Sequence, residues 1–113
     1  MKRIAIPCEG DQLSAHFGHA PQFLFFDVDP QTKQITAEEA LTPPPHEPGV
    51  LPAWVAQQRA TVILAGGMGG RAQQLFAQHG VDVVVGVPSG PARAAVEAYL
   101  NGQLTSGENL CDH

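Results

Sequence analysis

Residues 61–80 read TVILAGGMGGRAQQLFAQHG, and the architecture follows from how they are parsed. Val62, Ile63 and Leu64 are consecutively apolar, as a strand covered on both faces requires, while Ala72, Leu75, Phe76 and His79 fall on one side of a helix that Gly80 closes. This is a buried strand feeding a helix. Between the two, Gly66, Gly67, Gly69 and Gly70 surround Met68. The glycines remove the side chains that would hold a ligand away from the backbone, and they precede the positive N-terminus of a helix, so an anionic ligand suits the place. The competing reading is that they only allow the strand and helix to pack tightly.

Working upstream, residues 3–8 (RIAIPC) form a short apolar run, expected as the first strand, with Cys8 at its C-terminal end. Residues 9–21 show no strand alternation and are expected as a long loop with one helical turn, carrying His16 and His19. Residues 22–29 and 34–41, joined by DPQTK, read as a hairpin of the second and third strands, with Ile35, Ala37 and Glu39 sharing a face. The crossover TPPPHEPG, residues 42–49, has four prolines and carries His46. Val50, Leu51, Trp54 and Val55 recur at helical spacing, which makes 50–59 the first helix, with Pro52 in its first turn.

Downstream, residues 81–87 (VDVVVGV) read as the fifth strand, and Ala92, Ala95, Val96, Tyr99 and Leu100 as the stripe of a third helix that starts after Ser89 and Gly90. Residues 103–113 show no periodicity and read as an irregular tail. Right-handed crossovers and the hairpin then define a three-layer α/β fold. Its five-stranded mixed sheet has the order 3-2-1-4-5, with strand 2 antiparallel and helices on both faces. The chain leaves the first and fourth strands in opposite directions, which opens a crevice above their C-terminal ends.

Bulk properties narrow the function. A chain of 113 residues, 43% apolar and 15% charged, suits one domain spanning 1–113 with a packed core. No apolar run is long enough to cross a bilayer and the start lacks a signal-peptide core, so the expected location is the cytoplasm, with no membrane partner. A net charge of -5, with six scattered Lys and Arg, gives no basic face for nucleic acid. Cys8 and Cys111 are too few for a disulfide framework.

Enzyme templates fit poorly. Gly67, Gly69 and Ala72 satisfy G-x-G-x-x-A formally, but Val87-Pro88-Ser89 stands where a ribose-binding acid would be. Gly70 is followed by Arg71-Ala72, not the Lys-Ser/Thr of a P-loop, and the first strand lacks the carboxylate of an RNase H-type nuclease. What the chain does hold is soft and borderline ligands: Cys8, His16, His19, His46, Met68, Cys111 and His113. Such groups select thiophilic metals or metal-sulfur clusters over Mg²⁺. Taken singly, each has a structural alternative: Cys8 as a small buried hydrophobe, Met68 as loop packing, His79 as part of an apolar helix face, and Cys111-Asp112-His113 as a solvated end.

Taken together, RIAIPC, S-x-HFGHAPQFLFFDVD, H-x-x-G, ILAGGMGGRA and the closing G-x-N-x-CDH resemble the dinitrogenase iron-molybdenum cofactor biosynthesis family, the small NifX-like, NafY-like and orange-protein-like domains. The resemblance implies an RNase H-like fold and a non-enzymatic role in binding or carrying an anionic iron-molybdenum, iron-sulfur or molybdenum-copper-sulfur cluster. It also implies cluster contacts from His46 and the HFGH loop, cofactor-assembly proteins as partners, and a monomer or weak dimer. In this reading the cluster rests on backbone N–H groups at Gly66, Gly67, Met68, Gly69 and Gly70 and at Ser89 and Gly90. Metal ligation would come from His16, His19, His46, Cys111 or His113. Two other readings use the same features: a module for phosphorylated ligands or nucleotides, and a regulatory scaffold without a cofactor.

Overall fold

The computed structural model describes residues 2–14, 20–44, 49–87 and 90–102. Six strands form one sheet: β1 (Lys2–Glu9), β2 (Gln12–Leu13), β3 (Gln22–Asp29), β4 (Gln34–Leu41), β5 (Val62–Leu64) and β6 (Asp82–Val84). Three helices accompany them: α1 (Val50–Gln57), α2 (Gly70–Gln78) and α3 (Ala92–Leu100). The sheet runs β4-β3-β1-β5-β6, with β2 paired to β1 off that path. Numbered over the five expected strands, this is 3-2-1-4-5. β3 is antiparallel to both neighbours, and β1, β5 and β6 are mutually parallel.

Side-chain alternation along the strands sorts the core into two clusters, one on each face of the sheet. Ile4, Ile6 and Cys8 of β1, Leu24, Phe26 and Val28 of β3, and Val62 and Leu64 of β5 pack with Ala92 and Val96 of α3. Ala5, Phe23, Phe25 and Ile63 face the other way, onto Leu51 and Val55 of α1 and Phe76 of α2. Trp54 of α1 stands edge-on to Phe23 and Phe25, with centroids 5.4 and 5.7 Å away. Burial on both faces explains why the central strands are continuously apolar and give no period-two signal.

Five expectations need correcting. First, the loop after β1 contains a strand. Gly10 takes φ 67°, a conformation that suits glycine, and turns the chain so that Leu13 pairs with Cys8 and Gln12 with Glu9. Second, Ile35 does not share a face with Ala37 and Glu39. The β3–β4 register slips after Asp27, so that Asp27 faces Ala37 while Val28 faces Ile35, leaving Thr36 as the extra residue of a bulge. Ile35 therefore joins the α3-side core. Third, the last strand is only Asp82–Val84, because Gly86 turns the chain at φ 74°. Fourth, His79 is the exposed C-cap of α2, and Phe76 alone of that stripe is fully buried. The first helix also ends earlier than expected, at Gln57.

Strand direction decides where the loops lie. β4 is antiparallel to β3, which is antiparallel to β1, so β1, β4, β5 and β6 all point the same way. Their C-terminal exits share one edge of the sheet. The loops after β1, β4, β5 and β6 thus leave from the same edge, as the crevice argument requires. α3 returns toward the other edge, where Lys2, at the start of β1, donates to the Tyr99 hydroxyl at 3.1 Å. At that edge Arg3 ties three strands together: it pairs with Asp27 at 3.1 Å and Glu39 at 2.6 Å, with its guanidinium 4.8 Å above the Phe25 ring.

Candidate functional site

The glycine segment begins where β5 ends and finishes as the first turn of α2. Its backbone is anchored from one side. The Ala65 carbonyl accepts from Val87 N–H at 3.2 Å, the Gly66 carbonyl from Gly86 N–H at 3.0 Å, and the Gly69 carbonyl from Gln73 N–H at 3.1 Å. The side-chain amide of Gln73 donates to the Met68 carbonyl at 2.9 Å. In a trans peptide the C=O and the following N–H point in opposite directions, and no peptide described here is cis. Drawing in the carbonyls of 65, 66, 68 and 69 therefore turns the N–H groups of Gly66, Gly67, Gly69 and Gly70 away from those donors. These are the four glycines.

Among the described residues none of those four N–H groups donates a hydrogen bond. Gly66 and Gly67 are buried and Gly69 and Gly70 exposed, so the row of donors runs from the interior to the surface. The α2 N-terminus has no side-chain cap and no acidic residue in its first turn. Arg71, exposed in that turn, adds positive charge to the positive end of the helix dipole, where the helix itself would favour a carboxylate. The positive helix end and amide donors without a partner among the described residues meet at the start of α2.

Nor does the fold require glycine at the two exposed positions. Gly69 has φ -66° and ψ 155°, open to any residue, and a Cβ on Gly69 or Gly70 would meet nothing within 4 Å. This counts against tight packing as the reason for those two glycines. Met68 is 1% exposed and packed with the α1/α2-side core, so its side chain anchors the loop from beneath.

At the α3 N-terminus, also nominated from sequence, the fold takes up one helix N–H, while the Gly90 N–H donates to none of the described residues. Pro91 has no N–H, the Ala92 N–H donates to the Asp11 carbonyl at 2.9 Å, and the Gly90 carbonyl accepts from Leu13 N–H at 2.8 Å. The unexpected β2 does this, fastening α3 to the end of β1. Ser89 lies outside the described residues, as do His16, His19, His46, Cys111 and His113. The flanks of two of these segments are placed: Ser14 N–H donates to the Pro7 carbonyl at 2.8 Å, and Gly49 opens α1 at φ 80°. Both flanks belong to the edge that carries the glycines. Gly102, which precedes the tail, follows Tyr99 at the opposite edge.

Cys8 is fully buried, and its Sγ lies 3.3 Å from the Ile6 carbonyl. Burial pushes the thiol up to about 12, opposed in part by a backbone hydrogen bond at Leu24 and reinforced by Asp11 and Glu38. It is a core residue and stays protonated, unlike a metal-binding thiolate. The structurally informative residue missed in the sequence is Gln73, whose only signal was a helical polar residue five positions after Met68.

Fold and loop together define a small α/β domain presenting a glycine-lined row of amide donors at the C-terminal edge of its sheet. The chain belongs to the dinitrogenase iron-molybdenum cofactor family, whose model matches residues 1–102. The crystal structure of PH0822 is 33% identical over 92% of this chain and 93% of that one, with a TM-score of 0.84. The apo form of the orange protein from Desulfovibrio gigas is 28% identical over 96% and 95%, with a TM-score of 0.78. A Methanocaldococcus jannaschii chain with 12% identity, covering 95% of both, shares the fold at a TM-score of 0.74. Among curated proteins there is no match. The family ties the chain to iron-molybdenum cofactor chemistry, and no helix among the described residues is long and apolar enough to cross a membrane.

Proposed function

We propose that the protein is a non-enzymatic carrier that binds an anionic metal-sulfur cluster as cargo at the glycine loop and the N-terminus of α2. The observation that carries the reading is the fixed orientation of the four glycine peptides, whose carbonyls are hydrogen-bonded and whose N–H groups donate to none of the described residues. Such a row of donors, backed by a helix dipole and Arg71, stabilises negative charge without a covalent bond. Reversible binding follows. A carrier must release its load, and four closed protein ligands would oppose release. In this reading His16, His19 and His46 supplement the backbone contacts, and assembly enzymes that make or consume the cluster are the partners.

The test is reconstitution with iron, molybdate and sulfide under reducing conditions, followed by desalting and measurement of retained metal and visible absorbance. Retention by the wild type and its loss on joint replacement of His16 and His19 by alanine support both parts of the reading. Retention unchanged in that variant removes the histidines from the site. Failure of the wild type to retain any cluster, combined with thermal stabilisation by ATP or NAD, would make the loop a phosphate site instead.

A further inference from the structure

We infer that Asn101–Gly102, the C-cap of α3, is a site of spontaneous deamidation that converts the junction between the domain and its tail into aspartate or isoaspartate. It is the only Asn–Gly pair in the sequence; the other asparagine, Asn109, precedes Leu110. Both residues are exposed, and the Asn101 side chain has no hydrogen-bond partner among the described residues. Gly102 sits at φ 70°, and the space where a Cβ would stand is empty within 4 Å, so no side chain of its own or of a described neighbour crowds that flank of the peptide.

The reaction needs only water. The deprotonated Gly102 nitrogen attacks Cγ of Asn101, the carbon–nitrogen bond to the side-chain amide breaks and ammonia leaves, giving a succinimide. Water then opens the ring at either carbonyl, yielding aspartate, or isoaspartate with an extra methylene in the main chain. Among the described residues closure is opposed by the Gly102 N–H bond to the Tyr99 carbonyl, 3.2 Å long, and by the Asn101 ψ of 4°. Both belong to the last turn, where helices fray. The product places a carboxylate at the negative end of the α3 dipole, which weakens that turn. Residues 103–113, with Cys111, Asp112 and His113, hang from this point in the chain.

Incubating the full chain in warm, mildly alkaline buffer tests the inference by intact mass, isoelectric focusing and peptide mapping. The expected result is a progressive gain of one negative charge and one dalton. Both map to the peptide containing Asn101, with isoaspartate detectable by enzymatic methylation. Asn101→Gln should abolish the change and Gly102→Ala should slow it several-fold. If the folded chain stays unmodified while the urea-unfolded chain reacts, the cap protects the pair and the inference falls. It falls equally if the charge change maps elsewhere.

Discussion

At the scale of single residues, Gln73 and Gly70 separate the needs of the site from those of the fold. Gln73→Met keeps the side chain's length and removes its donor, taking away the bond that holds the Met68 carbonyl and so helps set the direction of the Gly69 N–H. The expected result is several-fold weaker cluster retention, with a stability loss of about 1 kcal/mol in urea unfolding. Gly70→Ala should leave stability unchanged or raise it by up to about 1 kcal/mol, because alanine favours helix and a Cβ there meets nothing within 4 Å. The same Cβ would stand between the backbone and a bound anion. A variant that melts higher yet retains the cluster fully would show that the loop is not the binding surface. Cys8 yields a prediction about pH. Its pKa is raised from 9.0 to about 12 by burial, so the native state keeps a proton that the unfolded chain loses above about pH 9. Stability should therefore fall between about pH 9 and 12, by at most about 1.4 kcal/mol per pH unit, and Cys8→Ala should remove that component of the slope in urea unfolding.

Among the elements, β2 contributes most for its length. Leu13, 4% exposed, packs in the α3-side core while its N–H holds the Gly90 carbonyl, so Leu13→Ala should cost about 2–5 kcal/mol in denaturant unfolding. If α3 is instead held by its own stripe of Ala92, Val96 and Leu100, the cost would be far smaller. This strand was invisible in the sequence because two residues cannot display a period, and Gly10-Asp11 looks like any loop. The bulge at Thr36 was hidden for a related reason. Alternation predicts faces only while the register holds, and here a hydroxyl bonded to the Asp27 carbonyl at 3.1 Å marks where it slips. The longer signals were legible: the apolar runs of β1 and β5, and the stripes of α1 and α3, depend on many residues agreeing. The glycine loop could be found from composition. The direction of its N–H groups could not, since it depends on Gly86, Val87 and Gln73 reaching in from other elements.

For the whole molecule, the account turns on strand direction. Four strands pointing one way send the loops after β1, β4, β5 and β6 out from one edge, and the local positive potential there must attract an anion against an overall charge of -5. Local donors have to outweigh the global field. The most direct test is a spectrophotometric titration with tetrathiomolybdate, an anionic metal-sulfur complex, of the wild type and Gly69→Asp, with melting followed in parallel. An aspartate at that N-cap accepts the free helix N–H groups and favours the dipole, so it should raise stability by a few tenths of a kcal/mol or more. It also puts a negative charge where the guest would sit. The account predicts saturable binding by the wild type, with binding lost and melting raised in Gly69→Asp; equal binding by the two proteins would contradict it.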